Sequence, residues 1–194
     1  MKLMPPKGER GALSRTERCQ RKVTLTPNSL AGAHHLAIVL IVVPGKDLVN
    51  QWSLVVDRHW PKATVIPCSS EFPNWRRSAD RGLLQRHLSP RDRRPTYLIA
   101  TAATASSDDF RHLLDPVPPG DLVLISDEVH RLGATSWRRV LTLDVRGGRL
   151  GLSATPERKW DADGNAAISR FFGEKVFAYR LEQAQAEGWL CPYD

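Results

Sequence analysis

Four apolar stretches constrain the fold of this chain most: Ala37 to Val43, Thr96 to Ala100, Leu122 to Ser126, and Arg149 to Ser153. The first and third are rich in branched aliphatic residues with no polar alternation, the pattern of a strand covered on both faces in the middle of a parallel sheet. Each stretch ends in turn formers or small residues: Pro44-Gly45, Thr101 to Ala105, the polar tetrad Asp127 to His130, and Ala154-Thr155-Pro156. Between them lie segments of helical spacing. Asp47 to Arg58 carries Leu48, Trp52 and Val55; Ser106 or Ser107 is placed to cap a helix through Leu114; Ser136 to Leu143 reads as another. A short strand is expected at Thr64 to Ile66, a helix at Arg77 to His87, and a short helix closed by Ile168 to Phe172. A last strand is expected at Lys175 to Tyr179, and a last helix at Leu181 to Glu187 stopped by Gly188. Strands that alternate with helices predict an α/β fold, a doubly wound and mainly parallel sheet with helices on both faces.

Charge is concentrated. The formal net charge is +7, yet residues 1–22 alone carry +5 and residues 76–94 another +5, so the remainder is slightly acidic. Two basic segments attached to a weakly acidic body suit contact with phosphates. The longest apolar run, Leu36 to Val43, is too short to span a bilayer, and the first residues lack the apolar centre of a signal peptide, so a cytoplasmic protein is the default. Cys19, Cys68 and Cys191 are odd in number and far apart, and support neither a disulfide framework nor a thiolate metal site. Pro5, Pro6, Gly8, Gly11 and Pro27 interrupt any period in residues 1–30, which read as an irregular basic segment.

Asp127-Glu128-Val129-His130 closes the third strand. Ligands of such sheets sit beyond the carboxyl ends of the strands, where two carboxylates can hold Mg²⁺ against nucleotide phosphates and orient a water. The same tetrad can also be a helix cap with solvated neighbours, and in isolation it supports both readings. Its company matters. The loops Pro44-Gly45-Lys46, Thr101 to Thr104, Asp127 to His130 and Ser153-Ala154-Thr155 should converge on one edge of the sheet, the last two on a nucleotide side and the first two offering amides and hydroxyls to a polynucleotide backbone.

These stretches resemble a known family. Val42-Val43-Pro44-Gly45-Lys46-Asp47-Leu48-Val49-Asn50-Gln51-Trp52, Thr101, Asp127-Glu128-Val129-His130 and Leu150 to Arg158 are similar, in order and spacing, to motifs Ia, Ib, II and III of superfamily 2 helicases. The branch most similar is that of type III restriction motor subunits and XPB-like DNA helicases. Phe171-Phe172-Gly173, Val176 to Leu181 and Gly188 to Tyr193 look like that branch's exit from its first RecA-like domain. The resemblance implies a RecA-like domain over residues 31–188, with residues 189–194 beginning a linker to a second RecA-like domain. It implies ATP and Mg²⁺ as cofactors and nucleic acid, DNA ahead of RNA, as partner. By resemblance, Asp127 binds Mg²⁺ through water, Glu128 polarises the attacking water, His130 couples the nucleotide and polynucleotide sites, and Ser153 and Thr155 link them. Pro44, Gly45, Lys46, Thr101 and Thr104 would lie along a single strand, and Gln51 and Trp52 would serve packing.

Two departures temper the expected activity. The family's phosphate-binding loop, GxxxxGK[ST], belongs roughly twenty residues ahead of the first apolar run. Here that region holds Lys22 and Thr24 but no glycine between Gly11 and Gly32, and such a loop needs glycine to turn its amides onto phosphate. The chain also stops at Asp194, where the second motor domain would follow. The expectation is thus a first motor domain of an ATP-dependent DNA helicase or translocase that does not hydrolyse ATP alone. Two other classes stay open: a non-hydrolysing nucleic-acid-binding module, and a metal-dependent hydrolase built on Asp127, Glu128 and His130.

Overall fold

The structure, a computed structural model, describes residues 38–76, 95–155, 157–179 and 181–189. Residues 38–174 belong to one compact unit and residues 175–189 to another. Among its described residues the larger unit has five parallel strands: β1 (Ile38–Val43), β2 (Thr64–Cys68), β3 (Thr96–Thr101), β4 (Leu122–Asp127) and β5 (Gly148–Leu152), in the order β2-β3-β1-β4-β5. The longest apolar run takes the central place, where it pairs on both sides with β3 and β4. All six of its residues are buried, as are all six of β3. β2 lies at an edge, the position that tolerates Pro67 because a missing backbone N–H can face outward there.

The alternation of β1 side chains divides the core in two. Ile38, Leu40 and Val42 face one cluster, joined by Phe110, Leu113, Leu132, Ile168 and Phe171; Val39, Ile41 and Val43 face the other, joined by Val49, Val56, Tyr97 and Ile99. Helix α1 (Lys46–His59) covers the second face with Val49 and Val56 fully buried and Leu48 and Trp52 packed beside them. The short α2 (Ala102–Ala105), α3 (Asp108–Leu114) and α4 (Ala162–Phe172) serve the first face. Helices on both faces of a parallel sheet are the doubly wound, RecA-like arrangement expected.

Several local expectations are refined. Ser107 is the cap of α3: its hydroxyl accepts from the Phe110 N–H at 3.4 Å. α4 is longer than expected, because Asp161 caps it through the Gly164 N–H at 2.8 Å. The helix expected at Ser136 to Leu143 is a 3₁₀ segment, Arg138–Thr142. Its i→i+3 bonds, such as Val140 N–H to Trp137 O, suit a short connection with β-branched Thr135, Val140 and Thr142. The strand expected at Lys175 to Tyr179 is not formed: these residues have no regular structure, and Val176 is 89% exposed. An apolar alternation becomes a strand only where a neighbour completes its ladder. In this smaller unit α5 (Leu181–Ala186) follows, and Glu187 accepts from both Tyr179 Oη (2.6 Å) and Trp189 Nε1 (3.1 Å). The expected irregular segment 1–30, the expected helix 77–87, and Lys22 and Thr24 lie outside the described residues.

Candidate functional site

Strand register sets the site. Ser126 pairs with Gly151 and Asp127 with Leu152, so the residues that follow, Glu128 and Ser153, leave the sheet side by side. On the other flank Val42 pairs with Ser126, which brings Pro44 and Gly45 to the same edge. The three loops border one open depression of about 510 Å³, lined by Pro44, Gly45, Asp47, Leu48, Glu128, His130, Arg131, Ala154 and Thr155.

The tetrad does not continue as an α-helix. Glu128 adopts a left-handed conformation (φ 49°, ψ 50°) and a 3₁₀ turn, Val129–Gly133, follows it. That conformation is costly for a residue with a side chain and is found where the surrounding contacts impose it. Here the contacts are visible. Asp127 Oδ1 accepts from the Glu128 N–H at 3.0 Å. Ser153 Oγ lies 3.3 Å from Glu128 Oε2 and 2.9 Å from His130 Nδ1, and the Thr155 N–H donates to it at 3.2 Å. A serine has one proton to give. With that proton donated in a hydrogen bond to Glu128 Oε2, His130 carries its own on Nδ1 and donates it to Ser153 Oγ, so the relay runs from His130 through Ser153 to Glu128. His130 Nδ1 is also 3.3 Å from Glu128 Oε2. The helix-cap reading of Asp127 has a trace of truth, since the carboxylate does accept from the next residue, but it is the turn itself that it fixes.

Asp127 and Glu128 are both half-buried carboxylates at a strand end. Among the described residues no group of three or more metal-ligating side chains gathers. One or two carboxylates with several retained waters suit Mg²⁺ held against phosphates, and do not make an all-protein cage. The two carboxylates therefore fit a water-mediated Mg²⁺.

The candidates for strand contact are placed unequally. Pro44 and Gly45 line the depression, and Gly45 precedes α1 with no side-chain cap on the helix. Lys46 is paired with Glu71 at 3.1 Å, each side chain about half exposed. Thr101 is buried and caps α2, accepting from the Thr104 N–H at 3.2 Å and donating to Thr104 Oγ1 at 2.9 Å. Neither threonine borders the depression.

Three residues gain importance only in the structure. Trp52, read as packing, also donates its indole N–H to Asp127 Oδ2 at 3.2 Å. Arg158 braces the site from behind: its Nη1 donates to the His130 carbonyl at 3.1 Å and its Nε to Asp161 at 2.6 Å. Asp161 in turn caps α4, and the Gly164 N–H together with Arg158 holds its carboxyl below the usual carboxylate range. The spacing Asp161-Ala162-Asp163-Gly164 is a legible cap signal; the Trp52 bond has no signal beyond the polar handle that every tryptophan carries.

With this geometry in view, likeness to known proteins can be weighed. Residues 24–158 match the family described as "Type III restriction enzyme, res subunit". The chain belongs to that family. The match takes in β1 to β5 and both loops that carry the relay, so the domain is helicase-like, of superfamily 2. A relative, "Type I restriction enzyme EcoAI endonuclease subunit" of Escherichia coli, is 27% identical over 95 residues, covering 47% of this chain and 11% of that protein. No helix among the described residues is long and apolar enough to cross a membrane.

Proposed function

We propose that this chain is the first motor domain of an ATP-dependent DNA helicase or translocase, with the depression beyond β1, β4 and β5 as the joint between nucleotide and single strand. The observation that carries this reading is the contact of Ser153 with both Glu128 and His130, 2.9 Å from the ring nitrogen. A motor must make what happens at a phosphate felt at a strand, and a hydrogen-bonded relay between the acidic turn and the next strand end is the structural means.

In this reading Asp127 and Glu128 would hold Mg²⁺ through water, the metal supplying charge neutralisation at the transferring phosphoryl group. Glu128 would accept a proton from the attacking water. His130 and Ser153 would keep Glu128 aimed, because a change in either moves the other. Pro44, Gly45 and Lys46 would face the strand backbone, which carries little sequence information, and Thr155 would join Ser153 in linking the two sites. Lys22 and Thr24 remain candidates for phosphate contact. A second motor domain, supplied by a longer chain or by a partner subunit, would complete the cleft. The short overlap with the restriction subunit favours DNA as substrate.

Calorimetric titration of the chain with ATP and Mg²⁺ tests this. Saturable heat that disappears in Asp127→Ala is expected, and a wild-type chain that gives no heat loses the nucleotide reading. A non-hydrolysing nucleic-acid-binding module is the second reading, favoured by the glycine-free stretch 12–31. Single-strand binding without any ATP effect would select it.

A further inference from the structure

We infer that Trp52 is a positioning residue, whose indole N–H holds the Asp127 carboxylate and ties it to the helix that starts at the Pro44-Gly45-Lys46 loop. The inference rests on the nucleotide reading above for the metal that Asp127 would hold, and on geometry alone for the clamp.

Trp52 and Asp127 are 75 residues apart and meet at 3.2 Å through Oδ2. The other oxygen, Oδ1, takes the Glu128 N–H at 3.0 Å. Each carboxylate oxygen thus meets a donor from a different element, which fixes the plane of the group. An indole only donates, so it can aim the carboxylate without competing for a cation.

The packing of Trp52 sets that aim. Val49 and Val56 on the same face of α1 are fully buried, and the Trp52 ring packs with them against the side of the core that holds Val39, Ile41 and Val43. A leucine or phenylalanine would bury comparable apolar surface there; only tryptophan adds the N–H. The same helix begins at the depression, where Pro44, Gly45, Asp47 and Leu48 face Glu128 and His130. Six residues of α-helix, about 9 Å of rise, separate Lys46 from Trp52. A strand that shifts the start of α1 would therefore move the donor that holds Asp127. This route from strand to carboxylate is separate from the relay through Ser153.

Hydrogen exchange of the ¹⁵N-labelled whole chain tests the clamp, with the Trp52 indole signal assigned by its loss in Trp52→Phe. Asp127→Ala is expected to speed exchange at this one indole severalfold; unchanged exchange overturns the inference. Titration tests the positioning. Trp52→Phe keeps the aromatic packing and should weaken Mg²⁺-dependent ATP binding about tenfold, the usual effect of removing a group that orients a metal ligand. ATP binding without Mg²⁺ should stay unchanged, because a general packing defect would lower it as well. Equal Mg²⁺-dependent affinity in Trp52→Phe overturns the positioning role. If the wild type itself shows no Mg²⁺-ATP heat, the nucleotide reading fails, and the exchange result alone decides whether Trp52 holds Asp127.

Discussion

Glu128 shows how a single residue can be placed at the expense of backbone comfort. Its left-handed backbone costs about 1–2 kcal/mol relative to a right-handed one, and the bonds to Asp127 and Ser153 hold it there. Glu128→Gly should therefore melt higher than Glu128→Ala, by a difference of about 1 kcal/mol, in paired thermal melts; equal melting points would show that the turn is not strained. The relay makes its own prediction. Because His130 and Ser153 share a bond at 2.9 Å, their alanine variants should be non-additive, with a coupling of about 0.5–1.5 kcal/mol in a double-mutant cycle read by denaturant unfolding. Simple additivity would leave the contact without energetic content.

At the scale of elements, the junction of β5 with α4 supports the acidic turn. Gly151 in β5 faces Val129 so closely that a Cβ would come within 3.0 Å of its methyl. Val129 is 5% exposed and has little room to retreat. Gly151→Ala should destabilise the fold by about 1–3 kcal/mol, the usual cost of overpacking, as measured by urea midpoint. The α4 cap gives a pH prediction. Asp161 has its pKa lowered in the fold, first by the Gly164 N–H and then by Arg158. A group with a depressed folded pKa stabilises fully above its unfolded value, and that contribution is lost as pH falls through the folded one. The wild type should thus lose stability below about pH 4 more steeply than Asp161→Asn, which keeps an acceptor but cannot titrate. Parallel acid melts would show this.

For the whole molecule, charge and pairing decide how the domain meets a polyanion. The sequence offers +7, yet Lys46, the lysine of the β1 loop, is already partnered by Glu71. Single-strand affinity should fall with salt, with a log–log slope of about −0.7 for each phosphate neutralised. Glu71→Gln should release Lys46 and tighten binding about two- to fivefold, the range of an exposed ion pair. Filter binding across a salt series reads both effects; a flat profile would argue against a groove that follows the strand backbone.

Much of this was legible before any coordinates. Burial on both faces favours apolar residues, so β1, β3 and β4 announced themselves as largely apolar runs, and their turns marked the edge where the candidate site lies. Asp127, Glu128, His130 and Ser153 could be expected at one edge because each closely follows an apolar run; the roles proposed for them come from the resemblance to superfamily 2 helicases. Pairing was less legible: Lys175 to Tyr179 has strand-like residues, but a strand exists only with its neighbour. Contacts between distant residues were hidden altogether. Trp52 on Asp127, Arg158 on the His130 carbonyl and Glu71 on Lys46 are matters of a few ångströms between side chains far apart in the chain. The sequence by itself determined the layers of this protein and which residues stand at the strand ends, because hydrophobic periodicity and turn chemistry are local. Which of those residues touch, and what each is held by, was decided only when the parallel register brought β1, β4 and β5 to a common edge.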